Sequence, residues 1–369
     1  MLKQFAFFLP QFHTIPENDR WWGRGFTEWT NVKNALPLYK GHVQPKLPQN
    51  NYFYNLLDKR TMEWQTELMH KYHVDGMIYY HYYFRGKLLL EKPAENLLMW
   101  KDIKQPFFFC WANHSWCRSW EGTQELLVGI EYGEEKDWEK HFQYLLPFFK
   151  DSRYEKRNNK PVFMLFQSEF PEKNNIFTYF DKRCKENGFD GICVIETIMK
   201  NYNNNTVDDF WQNVSKQTEF VFLREPAYSR SLYFAAIKYK FERIKRALGW
   251  RFRNLINRRR PIIFDGNKLY EQMISNVNVD PRVIRGSFFE WDNTPRHKTR
   301  GYVITPVTKE LYFSYMDKLI NDEYVFINAW NEWGEGMILE PTDRDGYKYL
   351  EWISEWVTRN VNEFDKKTL

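Results

Sequence analysis

Eight short apolar runs, rich in β-branched and aromatic residues and spaced by longer helical patterns, constrain this chain more than any other feature. They are Gln4 to His13, Val74 to Phe84, Pro106 to Asn113, Lys160 to Phe166, Gly191 to Glu196, Glu219 to Glu225, Val283 to Glu290 and Tyr324 to Trp333. Several are apolar almost throughout, as parallel strands buried on both faces require. Between them the periodicity predicts helices, among them Thr61 to His73, Lys136 to Phe149, Asn175 to Asn187, Asn267 to Val277 and Lys309 to Ile320. Eight strands alternating with helices predict an α/β fold of the (β/α)8 TIM-barrel type, whose chemistry gathers at the C-terminal strand ends. A doubly wound sheet competes, but no G-x-G-x-x-G follows the first strand. No repeat, low-complexity tract or linker divides the chain, so residues 1–369 read as one barrel domain. Two connections are long: Ile15 to Leu57, expected to fold over the barrel mouth, and residues 226–279, a basic amphipathic insertion between strands six and seven.

The strand ends turn polar or aromatic after an apolar body: Gln11 and His13, then Tyr80, His81 and Tyr82, then Trp111, Asn113 and His114, and later Glu196, Glu290 and Glu332. Any one of these could be a strand reaching solvent; the repetition points to a functional mouth. Aromatic residues make up 19% of the chain, with 16 Trp, more than core packing usually demands. Trp and Tyr suit ligands with one apolar and one polar side, as sugars have. Within Asn328 to Gly336, strand alternation puts Phe326, Asn328, Trp330 and Glu332 on the barrel side. Gly334 and Gly336 let the chain leave strand geometry, so that Glu335 can turn back beside Glu332. Two carboxyl groups sharing a ring-lined pocket can divide labour, one pushed to a higher pKa and one staying ionised, as a general acid and base on a glycosidic bond require. The plainer alternative makes both glutamates solvated loop residues or partners of Arg344.

Longer stretches carry a family resemblance. Phe8 to His13, Trp21 to Val32, Tyr79 to Phe84, Cys110 to Asn113, Trp291 to Arg296 and Trp330 to Gly336 resemble the WbsX-like family, often labelled glycosyltransferase and itself similar to glycoside hydrolase family 99. The resemblance runs through most of the chain in order and is weakest between about Lys200 and Asn257. Family 99 enzymes are (β/α)8 barrels that cleave internal α-mannosidic bonds with retention and without metal. The resemblance implies that Glu332 acts as base on the sugar's own 2-hydroxyl, which attacks the anomeric carbon to give a 1,2-anhydro sugar. Glu335 is implied to protonate the leaving oxygen and then to activate water. One departure stands out: where the WbsX-like pattern has Asn-Glu-Asn-Trp, this chain reads Asn113-His114-Ser115-Trp116. The substrate is expected to differ accordingly.

Other residues are candidates for sugar binding. His13 and His81 fall near strand ends and suit hydrogen bonding to hydroxyls; without H-x-H or H-E-x-x-H spacing, no metal or other cofactor is expected. Trp29, in the long first connection, and Tyr82, Trp111, Trp116, Trp291 and Trp333 either stack on sugar rings or pack in the core. Asn113, Asp292, Asn293 and Asn331 reach a ligand or cap local turns. Asp343-Arg344-Asp345 is a weak D-x-D match to a nucleotide-sugar and metal site. The four cysteines form no C-x-x-C and read as reduced thiols.

The net charge of +5 is local: residues 238–260 hold ten basic residues against Glu242 alone, and the remainder is acidic. Ile237, Phe241, Ile244, Leu248, Phe252 and Leu255 recur at helical steps, giving one apolar stripe. Such a helix either packs on the barrel or lies on an anionic membrane surface through residues 237–260. Nucleic acid is not an expected partner, because no binding motif accompanies the helix. The apolar start Phe5 to Pro10 lacks a basic lead and a cleavage site, and no apolar run reaches about 18 residues, so a cytoplasmic, at most peripheral, setting is expected. Three functions compete: a retaining glycoside hydrolase or transglycosylase acting on an oligosaccharide or polysaccharide, a glycosyltransferase in O-antigen or capsule synthesis, and a non-catalytic carbohydrate-binding barrel.

Overall fold

In a computed structural model, which describes residues 2–118, 125–199, 211–235, 248, 260–276 and 280–367, the eight runs become eight strands. They are β1 (Lys3–Phe8), β2 (Gly76–Phe84), β3 (Phe107–Trp111), β4 (Lys160–Leu165), β5 (Cys193–Ile198), β6 (Thr218–Leu223), β7 (Val283–Phe288) and β8 (Tyr324–Asn328). Each pairs in parallel with the next, and β1 pairs in parallel with β8, closing the barrel. Phe5 sits opposite Phe326 across the closing pair, and Tyr80 opposite Cys110 between β2 and β3.

Ring packing shows which face of β1, β3, β6 and β8 is inside. Phe5, Phe7, Phe108, Phe222 and Phe326 meet one another with centroids 5.1–6.5 Å apart and plug the barrel. Truncating a ring as enclosed as Phe326 costs about 3–5 kcal/mol. The alternate positions face the helices: Phe109 packs on Phe148 of the helix Glu135–Lys150. The other expected helices are Lys59–Lys71, Lys173–Glu186, Gly266–Ser275 and Lys309–Lys318, each within three residues of its expected ends.

The first long connection carries the helices Pro16–Trp22 and Glu28–Lys33 and brings Trp22 to the wall of the mouth cavity. Of the insertion, the helix Ala227–Ala235, the strand Ile262–Phe264 and the helix Gly266–Ser275 are described. The basic stripe expected over residues 237–260 lies, apart from Leu248 and Arg260, outside the described residues. Strand β8 is shorter than its apolar run. It stops at Asn328, and Asn331–Glu332 then pairs antiparallel with Met337–Ile338 around the 3-10 turn Trp333–Glu335. The alternation expected to carry Trp330 into the barrel ends with the strand: Trp330 is fully buried, its indole N–H donating to Glu340.

Candidate active site

A cavity of about 520 Å³ opens at the C-terminal ends of the strands, within the range usual for small-molecule sites. Residues on the inward faces form it: Leu9 and Gln11 beyond β1, Tyr80 and Tyr82 on β2, Ala112 beyond β3, Arg224 beyond β6 and Asn328 on β8. Glu332 and Glu335 both front it, and their shared partner is Arg296, not Arg344. One guanidinium reaches both carboxylates, Nη1 donating to Glu335 at 2.5 Å and Nη2 to Glu332 at 3.1 Å. Its Nε donates to Glu28 at 2.8 Å, a carboxylate wholly shielded from solvent.

The turn geometry makes this fork possible. A Cβ at position 334 would overlap the Glu28 carboxylate and crowd Nε of Arg296, so only glycine lets the turn approach the pair. Gly336 has φ +63, the left-handed region that ends the turn. Glu332 is buried and its pKa is pushed up to about 7, chiefly by desolvation, with the charges of Glu335 and Glu28 adding and Arg296 and Arg224 opposing. Glu335 keeps about a fifth of its side chain exposed.

The remaining candidates separate by position. Tyr82, Trp116 and Trp291 line the cavity, and Trp116 packs edge-on against Tyr82 at 4.9 Å. His81 and Trp111 do not: both sit on outward positions of their strands, where His81 shares a 2.9 Å nitrogen contact with His141 and Trp111 donates to the Tyr83 carbonyl. Burial holds His81 near pKa 3, a neutral core imidazole. His13 is buried outside the lining, its pKa pushed down to about 4 chiefly by desolvation. Trp29 packs beneath the mouth against Phe12 and Trp333, and Trp333 donates to Glu340.

The four polar candidates are ties rather than wall. Asn113 exchanges hydrogen bonds with the backbone of Gln167, and Asn331 does so with Leu9, joining the carboxylate turn to the end of β1. Asp292 accepts from His42, Gln44 and Thr294, and Asn293 accepts the Tyr302 N–H. Asp343 accepts the Asn50 N–H at a loop junction, and among the described residues no group of three potential metal ligands occurs.

The sequence reading passed over four contributors. Arg296 and Glu28 both lie in stretches that resemble the family but carried no expected role, and they are 268 positions apart. Glu340 holds the carboxylate turn from behind, accepting from Tyr54, Gln65, Trp330 and Trp333. Glu225 lines the cavity, its pKa raised to about 7 by burial. Its place at the end of the sixth apolar run was the available signal.

The chain is similar in fold to the GH99 endo-alpha-mannosidase from Bacteroides thetaiotaomicron, in its complex with bis-tris-propane, with a TM-score of 0.56 and 13% identity over 99% of both chains. It is also similar to a glycoside hydrolase-like protein, with a TM-score of 0.57 and 11% identity over 96% of this chain and 93% of that one. The family model Glycosyltransferase WbsX matches residues 4–353, and the chain belongs to that family. Two relatives, the uncharacterized proteins WxcX of two strains of Xanthomonas campestris pv. campestris, are 29% and 28% identical over 365 residues. Those alignments take in 96% of this chain and 49% of theirs, so it spans about half the length of the curated relatives it matches.

Proposed function

We propose that this chain is a carbohydrate-active enzyme that breaks α-glycosidic, mannose-like bonds of a bacterial surface polysaccharide with retention, by hydrolysis or transglycosylation. The observation that carries the reading is one guanidinium holding Glu332 and Glu335 at the edge of a ring-walled cavity. A general base works best with a pKa near the operating pH, and burial has moved Glu332 there. In this reading Glu332 takes the proton of the sugar's 2-hydroxyl as that oxygen attacks the anomeric carbon. Glu335, the more exposed of the two, gives its proton to the departing oxygen. It then removes one from the water or sugar hydroxyl that opens the 1,2-anhydro ring, while Glu332 returns its proton to O2. The carboxyl groups thus end as they began, and the product keeps its anomeric configuration. The barrel's likeness to a GH99 endo-alpha-mannosidase supports this assignment.

A panel of α-linked oligosaccharides, followed by NMR of the released anomer, tests it. Cleavage with retention is expected for the wild type. Glu332→Gln and Glu335→Gln, each folded, should lose about a hundredfold to ten-thousandfold in rate. Full activity in both variants would sink the proposal. The family description favours a second reading, glycosyl transfer from an activated donor. Calorimetry against nucleotide-sugar and lipid-linked donors decides it, since a transferase must bind one of them. Among the described residues no helix is long and apolar enough to cross a membrane, and attachment through residues 237–260 is a proposal that liposome flotation tests.

A further inference from the structure

The wall of the cavity that carries Phe166 has a chemistry the carboxylate mechanism does not use. Arg224 lies with its guanidinium carbon 4.4 Å from the Phe166 ring centroid, and the His114 ring lies 5.0 Å from the same ring. Both side chains line the cavity. Arg224 donates from Nη2 to the Tyr80 hydroxyl at 3.2 Å and from Nη1 to the Met199 sulfur at 3.6 Å. Among the described residues no carboxylate lies within 4 Å of it, although three carboxylates crowd Arg296 in the same mouth. A guanidinium offers five N–H donors in a planar fork matched to carboxylate or phosphate, and two neutral acceptors leave most of that fork unused. The buried His114 Nδ1 also has no hydrogen-bond partner among the described residues.

Glu332 and Glu335 act on Arg224 only through space, with no ion pair, and the cavity beside it leaves room for an anionic group to enter with a ligand and fill the fork. We propose that Arg224, with His114 beside it, recognises an anionic group on the sugar that occupies this cavity, so that the substrate belongs to the acidic saccharides. The group is a uronate carboxylate or a phosphate, which share the planar or tetrahedral oxygen pattern that the fork accepts. The proposal deepens the function given above and rests on it for the identity of the sugar ring. Tyr82 and Trp116 supply apolar ring surface on the same cavity, and Arg296 ion-pairs with the carboxylate pair, which leaves the hydrogen-bonding fork of Arg224 open to an anion.

Calorimetry on the full chain tests this with three probes: neutral methyl α-D-mannopyranoside, methyl α-D-mannopyranosiduronate and α-D-mannose 1-phosphate. At least one charged sugar is expected to bind about tenfold or more tighter than the neutral one, as a charge-assisted hydrogen-bonded pair gives. Tighter uronate binding assigns the anion to the polymer, and tighter phosphate binding assigns it to an activated donor. The preference should collapse toward parity in Arg224→Gln and survive in Arg224→Lys. Equal affinity for all three probes in the wild type, or binding of none, overturns the proposal whatever the variants do. So does an Arg224→Gln protein that melts like the wild type and keeps the preference. No turnover enters the experiment, so its failure is separable from failure of the Glu332 and Glu335 assignment.

Discussion

Glu332 and Glu340 stand eight positions apart on the same loop, and both have pKa values pushed up to about 7 by burial, yet their surroundings are opposite. Glu340 is enclosed by four neutral donors, the Tyr54 hydroxyl, the Gln65 amide and the indoles of Trp330 and Trp333, with every contact between 2.6 and 3.0 Å. Glu332 faces a cavity, touches a cation shared with two other carboxylates, and has an acidic neighbour three positions on. A raised pKa alone therefore does not mark a reacting group. What separates the two is free space on one side and a charge that can be rebalanced when a proton moves.

Substitutions that break this contrast should have graded effects. The largest belong to Glu332→Gln and Glu335→Gln, with a turnover loss of about a hundredfold or more and a melting temperature near that of the wild type, read by initial rates and calorimetry. Arg296→Ala comes next. It leaves Glu28, Glu332 and Glu335 facing one another without their common cation, and removing one partner of a buried pair costs about 3–5 kcal/mol, measurable by denaturant unfolding. Because Arg296 opposes the upward shift of Glu332, its loss should also move the acidic limb of the pH–rate profile to higher pH.

Glu340→Gln has a smaller effect with a distinctive pH dependence. The folded carboxyl titrates near 7 and the unfolded one near its ordinary value of 4.5, so the native state binds the extra proton between those values. Stability contributed by that proton is present below about pH 4.5 and is lost as pH rises toward 7. The variant, which cannot titrate there, should show a deficit of about 1–3 kcal/mol at pH 5 that shrinks by pH 8. The smallest catalytic effect is expected of Trp111→Phe: its ring faces the helix layer, so kcat/KM should stay within about twofold while stability falls by about 1 kcal/mol.

The sequence concealed the outward aspect of Trp111. All eight strands were legible because runs such as Phe107-Phe108-Phe109 are buried on both faces and stand out from the amphipathic helices between them. The same property hid the parity. In Tyr79-Tyr80-His81-Tyr82-Tyr83-Phe84 every position is aromatic, so nothing in the pattern says that Tyr80 and Tyr82 face the cavity while His81 faces His141. The Glu332 and Glu335 pair was legible because two glycines follow a strand-like run. Arg296 and Glu28 were not, because their meeting depends on how the first long connection and the segment after β7 close over the barrel. Asn113, Asn331, Asp292 and Asn293 carry the residue types of a ligand site, and their bonds to neighbouring loops could not be read from the sequence.

The proposed division of labour between the two glutamates can be tested by making the leaving group independent of acid assistance. With α-mannosyl fluoride, whose fluoride departs without a proton donor, Glu335→Gln should recover most of the wild-type rate of fluoride release in a single turnover. Glu332→Gln should remain at least about a hundredfold slow, because the 2-hydroxyl still lacks its base. Equal recovery in both variants, or recovery in Glu332→Gln alone, would contradict the account.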